Sequence, residues 1–200
     1  MDAQPGRTRL RASARLGGRR DGAGEVNARQ KTGAFGGPPE GTLARQARPS
    51  PRYRRGVGVM LLDRKGRVFI GRRNDVTGAH WQMPQGGVDA GERARRAALR
   101  ELKEETGVEA ARILAVSRAW LAYDFPPELL AAAWGGRYKG QAQRWFAMRF
   151  LGTDADIDIA TDEPEFVEWR WVEPARLPGL IVPFKRRLYE AVLEEFADLL

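Results

Sequence analysis

Three carboxylates, Glu101, Glu104 and Glu105, stand at i, i+3 and i+4 in a stretch with helical periodicity. Side chains at those separations share one helix face, about 5–6 Å apart at Cβ. Acids so placed repel one another and weaken the helix unless a cation neutralises them. Oxygen ligands of this kind suit Mg²⁺, Mn²⁺ or Ca²⁺ rather than zinc. Arg100, next to Glu101, is a natural partner for orienting one of these acids by a two-pronged hydrogen bond. Glu92 lies about two and a half turns earlier, at the expected helix start, where the helix dipole favours a carboxylate. Just ahead, Gly86-Gly87 allows close backbone approach, so that the Gly86 carbonyl can face an ion.

These residues need a scaffold that presents a glycine pair to one helix face. Glu92–Thr106 has no Gly or Pro, spaces Ala97, Ala98, Leu99 and Leu102 at helical intervals, and is followed by Gly107 where a C-terminal glycine belongs. Upstream, Gly56–Leu62 reads as a buried strand, Asp63–Gly66 as its turn and Arg67–Arg72 as a second strand, with Asn74–His80 a loop. Downstream, Ile113–Tyr123 reads as strand, Pro127–Trp134 as short helix or loop, and Gln143–Phe150 as strand. Phe166–Val172 alternates with period two, which puts Trp169 and Trp171 on one side, in the core. Phe184–Leu200 predicts a closing amphipathic helix with Phe184, Leu188, Val192 and Phe196 on one stripe. Strands and helices interleave without a regular βαβ beat. The expected fold is therefore α/β of the mixed α+β type, a mixed sheet between helices rather than a doubly wound parallel one.

Composition narrows the chemistry further. The chain has 200 residues, no cysteine and a single histidine, His80. That excludes disulfide frameworks, thiolate metal sites and multi-histidine zinc sites. No apolar run approaches the roughly 20 residues that span a bilayer, so membrane insertion is not expected. The net charge of +8 is unevenly placed: residues 1–50 hold ten Lys and Arg against four acids, which leaves only +2 for the remainder. The same 50 residues contain nine of the 23 glycines and few large apolar side chains, so they read as a disordered basic tail. A tail of this kind is a solvated extension or a holder of RNA by counterion release. Absence of cysteine and of an export signal favours the cytoplasm, and evenly spread charge favours a monomer.

The acids belong to a longer pattern. Gly86, Glu92, Arg100, Glu101, Leu102, Glu104, Glu105, Gly107 and Val108 fit Gly-(5)-Glu-(7)-Arg-Glu-apolar-(1)-Glu-Glu-(1)-Gly-apolar at every position. Chance agreement is on the order of one in a billion per starting point, which sets aside an ordinary acidic helix face. The segment resembles the box of the Nudix hydrolases. That resemblance implies a mixed sheet sandwiched between helices and hydrolysis of nucleoside diphosphates linked to another moiety, with Mg²⁺ or Mn²⁺ held by the box glutamates.

The likeness runs from Tyr53 to the C-terminus through Tyr53-Arg54, Gly71-Arg72-Arg73, Trp81–Gly87, Gly140–Phe146, Pro164-Glu165-Phe166, Trp169–Val172 and Pro183–Arg186. Over these residues the chain is similar to bacterial RNA 5′-pyrophosphohydrolases and related dinucleoside polyphosphate hydrolases. The resemblance places metal ligands at Glu101, Glu104 and Glu105, with Gly86 alongside, and a further ligand or base at Glu165. It places Arg54, Arg73 and Lys185 on substrate phosphates and Phe184 on a base, with Arg100, Gly87, Glu92 and Gly107 in support. Competing readings stay open: Glu165 as a strand cap, Arg54 and Arg73 as surface charges, Phe184 as core. The implied domain is 51–200. The implied substrate is 5′-triphosphorylated or diphosphorylated RNA, with dinucleoside polyphosphate hydrolysis and a non-catalytic RNA-binding module as alternatives.

Overall fold

The computed structural model describes residues 42–74, 80–130, 134–162 and 164–200. In chain order its strands are β1 (Leu43–Gln46), β2 (Tyr53–Leu62), β3 (Val68–Arg73), β4 (Trp81–Gln82), β5 (Gln85–Gly87), β6 (Ala111–Val116), β7 (Trp120–Asp124), β8 (Gly140–Phe150) and β9 (Phe166–Val172). The α-helices are α1 (Ala94–Thr106), α2 (Pro127–Leu130) and α3 (Arg186–Glu195).

β2 is the spine of the sheet. Val57, Val59 and Leu61 face one apolar cluster while Met60 and Leu62 face the other, so both sides of the strand are covered. The first cluster takes Ala97, Ala98 and Leu102 from α1; the second takes Leu188, Tyr189 and Val192 from α3. Burying a Leu or Val side chain fully contributes roughly 1.5–3 kcal/mol, so these two faces hold the layers together. β8 runs parallel to β2, from Tyr53 opposite Gly140 to Leu62 opposite Arg149. The other described pairings are antiparallel, and the sheet is mixed, between helices, as expected. No helix among the described residues is long and apolar enough to cross a membrane.

Four sequence expectations are corrected. The strand expected over Ile113–Tyr123 is two, β6 and β7, because both pair with β8 at different heights: Val116 lies opposite Phe146 and Leu121 opposite Gln143. Between them the chain turns at Ser117, whose N–H donates to the Trp145 carbonyl at 2.8 Å while its hydroxyl donates to the Ala119 carbonyl at 2.8 Å. The C-terminal helix begins at Arg186, after a 3₁₀ turn at Pro183–Lys185. That turn takes Phe184 off the stripe of Leu188, Val192 and Phe196 and brings it to Tyr123 and Phe125.

Third, α1 starts at Ala94, so Glu92 precedes the helix rather than sitting in its first turn. Fourth, residues 42–50 are described, and the expected tail is too long at this end. Leu43–Gln46 pairs with β7, Leu43 opposite Tyr123 and Gln46 opposite Trp120. Arg45 fixes the strand by reaching Glu194 and Glu195 at 2.8 Å each. A short strand can add to an open edge with few apolar side chains, since main-chain hydrogen bonds do the pairing. Residues 1–41 of the expected tail, and 75–79 of the expected Asn74–His80 loop, lie outside the described residues.

Candidate active site

The site is built where β5 meets α1. Arg100, on the second turn of α1, gathers the acids around it. Its Nε and Nη2 donate to the two carboxylate oxygens of Glu92 at 3.1 and 3.0 Å, Nη1 donates to Glu101 at 2.9 Å and Glu104 at 2.7 Å, and Nη2 also donates to the Gly87 carbonyl at 2.9 Å. One guanidinium thus ties the glycine pair, the residue ahead of the helix and two helical acids together. Glu92 is held below the usual carboxylate range by its hydrogen bonds from Arg100, against the opposing effect of burial. These bonds, with one from the Asp89 N–H at 3.1 Å, hold Glu92.

Both glycines leave room for a charged side chain to approach closely. A β-carbon on Gly86 would overlap the Glu101 carboxyl group, and one on Gly87 would overlap the Arg54 guanidinium. Gly107 ends α1 in the left-handed region, φ 68°, with its N–H donating to the Lys103 carbonyl at 2.8 Å. It also lets Asp158 pack against the helix end.

Glu105 points the other way, inward, and is 2% exposed. One of its oxygens accepts the Gln85 N–H at 3.1 Å, and the other, Oε1, has no hydrogen-bond partner among the described residues. Burial pushes its carboxyl well above the usual range, the nearby Glu165 charge adds to this, and the Gln85 N–H opposes it. Burial likewise raises Glu101, with Arg100 opposing and Glu104 and Glu165 adding. Glu104 is the exposed member of the set.

Glu165 enters from the start of β9. Its carbonyl accepts the Asn74 N–H at 3.1 Å, and its carboxylate meets Arg73 Nη1 at 3.3 Å. The pairing of β3 with β9 shifts register between Arg72 and Arg73, the kind of irregularity that re-aims a side chain. Arg54 and Arg73 both lie close enough to Tyr123 for their charges to favour its ionised form, although burial pushes that phenol up strongly. Lys185 is buried, with Nζ 5.7 Å from the centre of the Tyr123 ring. Phe184 lies 6.2 Å from Tyr123 and 6.4 Å from Phe125 between ring centres. The sequence-derived candidates therefore fall into two neighbouring groups, acids on α1 and β9, and cations with aromatics around Tyr123.

A cleft runs between Glu101, Glu104 and Glu105 on one side and Asp158, Asp162 and Glu165 on the other. Asp158 and Asp162 were not singled out from sequence; the signal that could have found them is the acid-rich run from Asp154 to Glu165. Tyr123 and the buried glutamines beneath the cleft were also missed, since a neutral side chain inside a strand reads as packing. His80 is half-buried and takes no part in either group.

The donor set fits a hard divalent cation. As placed, no three acid or histidine side chains among the described residues close around one point, because Arg100 stands between Glu92, Glu101 and Glu104. Yet the unpartnered Glu105 Oε1 is buried beside acids that repel it, and oxygen is the only ligand type in the cleft. Both features are what Mg²⁺ or Mn²⁺ would relieve.

Residues 52–192 match the NUDIX domain, which covers β2 to β9, α1 and the whole acid set. The chain belongs to the Nudix family. Hydrolases of this family generally use divalent metals. The chain is 59% identical over 148 residues to the RNA pyrophosphohydrolase of Dinoroseobacter shibae, covering 73% of this chain and 92% of that one. It is 55% identical over 145 residues to the RNA pyrophosphohydrolase of Rhodospirillum rubrum, covering 72% of this chain and 87% of the other. Among solved structures, a Caenorhabditis elegans Ap4A hydrolase binary complex superposes with TM-score 0.54 at 20% identity, over 72% of this chain and 96% of that one. An Escherichia coli dihydroneopterin triphosphate pyrophosphohydrolase gives 0.55 at 19% identity, over 73% and 98%. At such identities these superpositions establish the Nudix fold alone, and β1 lies ahead of the family-matched residues.

Proposed function

We propose that the chain is an RNA pyrophosphohydrolase: it hydrolyses the 5′ end of triphosphorylated or diphosphorylated RNA to a 5′-monophosphate and so opens the message to degradation. The observation that carries this reading is the buried, unpartnered Glu105 carboxylate oxygen among the box acids, beside the cationic group of Arg54, Arg73 and Lys185. The names of the relatives at 55–59% identity support it.

In this reading Glu101, Glu104, Glu105 and Glu165, with the Gly86 carbonyl, hold Mg²⁺ or Mn²⁺. Bound there, the metal supplies charge screening of phosphate oxygens and a lowered pKa for a water ligand. Arg100 bonds to Glu101 and Glu104 and offsets their mutual repulsion while no ion is held between them. Arg54, Arg73 and Lys185 offset the charge of the phosphate chain, and Phe184 receives a base. Water adds to one phosphorus of the α–β anhydride, that P–O bond breaks, and pyrophosphate leaves from a triphosphorylated end, or phosphate from a diphosphorylated one. Residues 51–200 form the catalytic unit, joined at its edge by β1. The enzyme acts in the cytoplasm as a monomer.

The test is a metal-dependent assay on a short 5′-triphosphorylated RNA. Appearance of 5′-monophosphorylated RNA together with pyrophosphate, abolished by chelation, is expected. An RNA that keeps its triphosphate in Mg²⁺ and in Mn²⁺ overturns the reading.

A further inference from the structure

Beneath the acid cleft lies a ladder of buried amides. Gln82, Gln85, Gln141 and Gln143 are all at most 9% exposed. Four polar side chains in the interior of a sheet are costly unless they are joined, and these are. Gln143 is the hub: its Nε2 donates to Gln85 Oε1 at 3.0 Å and to Gln141 Oε1 at 3.2 Å. Gln85 Nε2 passes the chain on to Gln82 Oε1 at 3.1 Å, and the Tyr123 hydroxyl closes the other end on Gln141 Oε1 at 2.6 Å.

The ladder crosses the central strand. Gln143 lies on β8 and Gln85 on β5, with β2 between them. The crossing passes over Gly56, where a β-carbon would stand 3.5 Å from Gln143 Cγ and 2.7 Å from the Gly86 carbonyl. A bare backbone at this one point lets an amide on β8 reach an amide on β5.

Gln85 is where the ladder meets the acids, since its own N–H donates to Glu105 Oε2. Glu105 is thus held by a residue whose side chain is fixed by Gln143, and Gln143 is in turn tied through Gln141 to the Tyr123 hydroxyl. The Gln143 carbonyl oxygen and the Gln82 amide nitrogen have no partner among the described residues, so the ladder spends buried polar groups on this connection rather than on packing.

We infer that Gln143 is a positioning residue for the hydrolytic site, holding Gln85, and through it the metal-facing carboxylate of Glu105, in register with Tyr123. This rests on the reading of Glu105 as a metal ligand. Outer partners of this kind typically change metal affinity or activity by about 10–100-fold when removed.

The test uses Mn²⁺ alone as the probe, with affinity measured by electron paramagnetic resonance on the full chain, alongside kcat and KM. Gln143→Met keeps the volume and removes both donors. Mn²⁺ affinity and kcat should each fall about tenfold, with KM near wild type and the thermal midpoint lowered but the fold retained, since buried Gln85 Oε1 loses its donor. Gln85→Met, at the other end of the same bond, should give a similar loss, and the double variant should lose no more than the worse single. Should Gln143→Met fail to fold, Gln85→Met carries the test. Wild-type Mn²⁺ affinity in the folded single variants, or losses that multiply in the double, overturns the inference. A Glu105→Gln control separates the two readings: if it binds Mn²⁺ like wild type, the metal assignment falls and the inference with it. If it loses Mn²⁺ while the glutamine variants do not, the ladder's role alone falls.

Discussion

Arg100 grips Glu92 with two parallel hydrogen bonds, Nε to Oε1 at 3.1 Å and Nη2 to Oε2 at 3.0 Å, across eight residues of chain and the start of α1. The pair helps keep the glycine end of β5 against the helix, because the same guanidinium also holds the Gly87 carbonyl. Lysine cannot reproduce this fork. Arg100→Lys should therefore destabilise the fold by roughly 1–3 kcal/mol and lower kcat, since Glu101 and Glu104 lose their common donor. Urea unfolding and steady-state kinetics on the same preparation check both effects. Unchanged stability would mean the fork is incidental.

The box acids behave oppositely. Glu105 is buried, raised by that burial and repelled by Glu165, so its charge costs the fold rather than supporting it. Glu105→Gln should abolish hydrolysis, by about a hundredfold or more, while leaving the thermal midpoint equal or higher. Glu104→Gln, at an exposed position, should likewise lose turnover with the fold intact. Calorimetric scans with an activity assay decide it, and unfolding at ordinary temperature in either variant would make these acids structural.

Much of this site was readable in the sequence because its spacing is tied to helix geometry: Glu101, Glu104 and Glu105 can share a face only on a helix, and Gly107 marks where that helix ends. The mixed sheet was legible from the irregular order of strands and helices. What escaped depends on partners far along the chain. Ile113–Tyr123 looks continuous until β8 pairs with both of its halves, and Phe184 fits a helical stripe until the Pro183–Lys185 turn rotates it toward Tyr123. β1 hid within a glycine-rich, basic stretch because its pairing uses main-chain groups and one arginine, neither of which composition reports. The glutamine ladder left no periodic signal, since each member is a neutral residue in a strand.

Asp63 gives a pH test away from the cleft. Burial acts to raise its carboxyl, but the hydrogen bonds from Arg67 and the Lys65 N–H outweigh this and hold it below the usual range. A carboxylate lowered in the folded state contributes stability above its unfolded pKa, about 4, and loses it as pH falls through the folded value. Asp63→Asn should cost about 1.5–3 kcal/mol at neutral pH and should flatten the fall in stability below about pH 4. Parallel acid slopes in wild type and variant would place the acid sensitivity elsewhere.

Arg45 separates the added strand from the chemistry. Its bonds to Glu194 and Glu195 are partly exposed, and Glu195 keeps Arg118 as a second partner. Arg45→Ala should lower stability by no more than about 1 kcal/mol and leave kcat and KM at wild-type values. Chemical unfolding and kinetics at equal protein concentration read this directly, and a changed KM would tie β1 to substrate.

The central claim is that the cleft serves an RNA 5′ end. Equal concentrations of a 5′-triphosphorylated RNA and diadenosine tetraphosphate, given together to the purified chain with Mg²⁺ or Mn²⁺ and resolved by chromatography, test it most directly. Faster conversion of the RNA to its 5′-monophosphate is the expected result. Faster appearance of adenosine tri- and monophosphate, with the RNA end left intact, would contradict it.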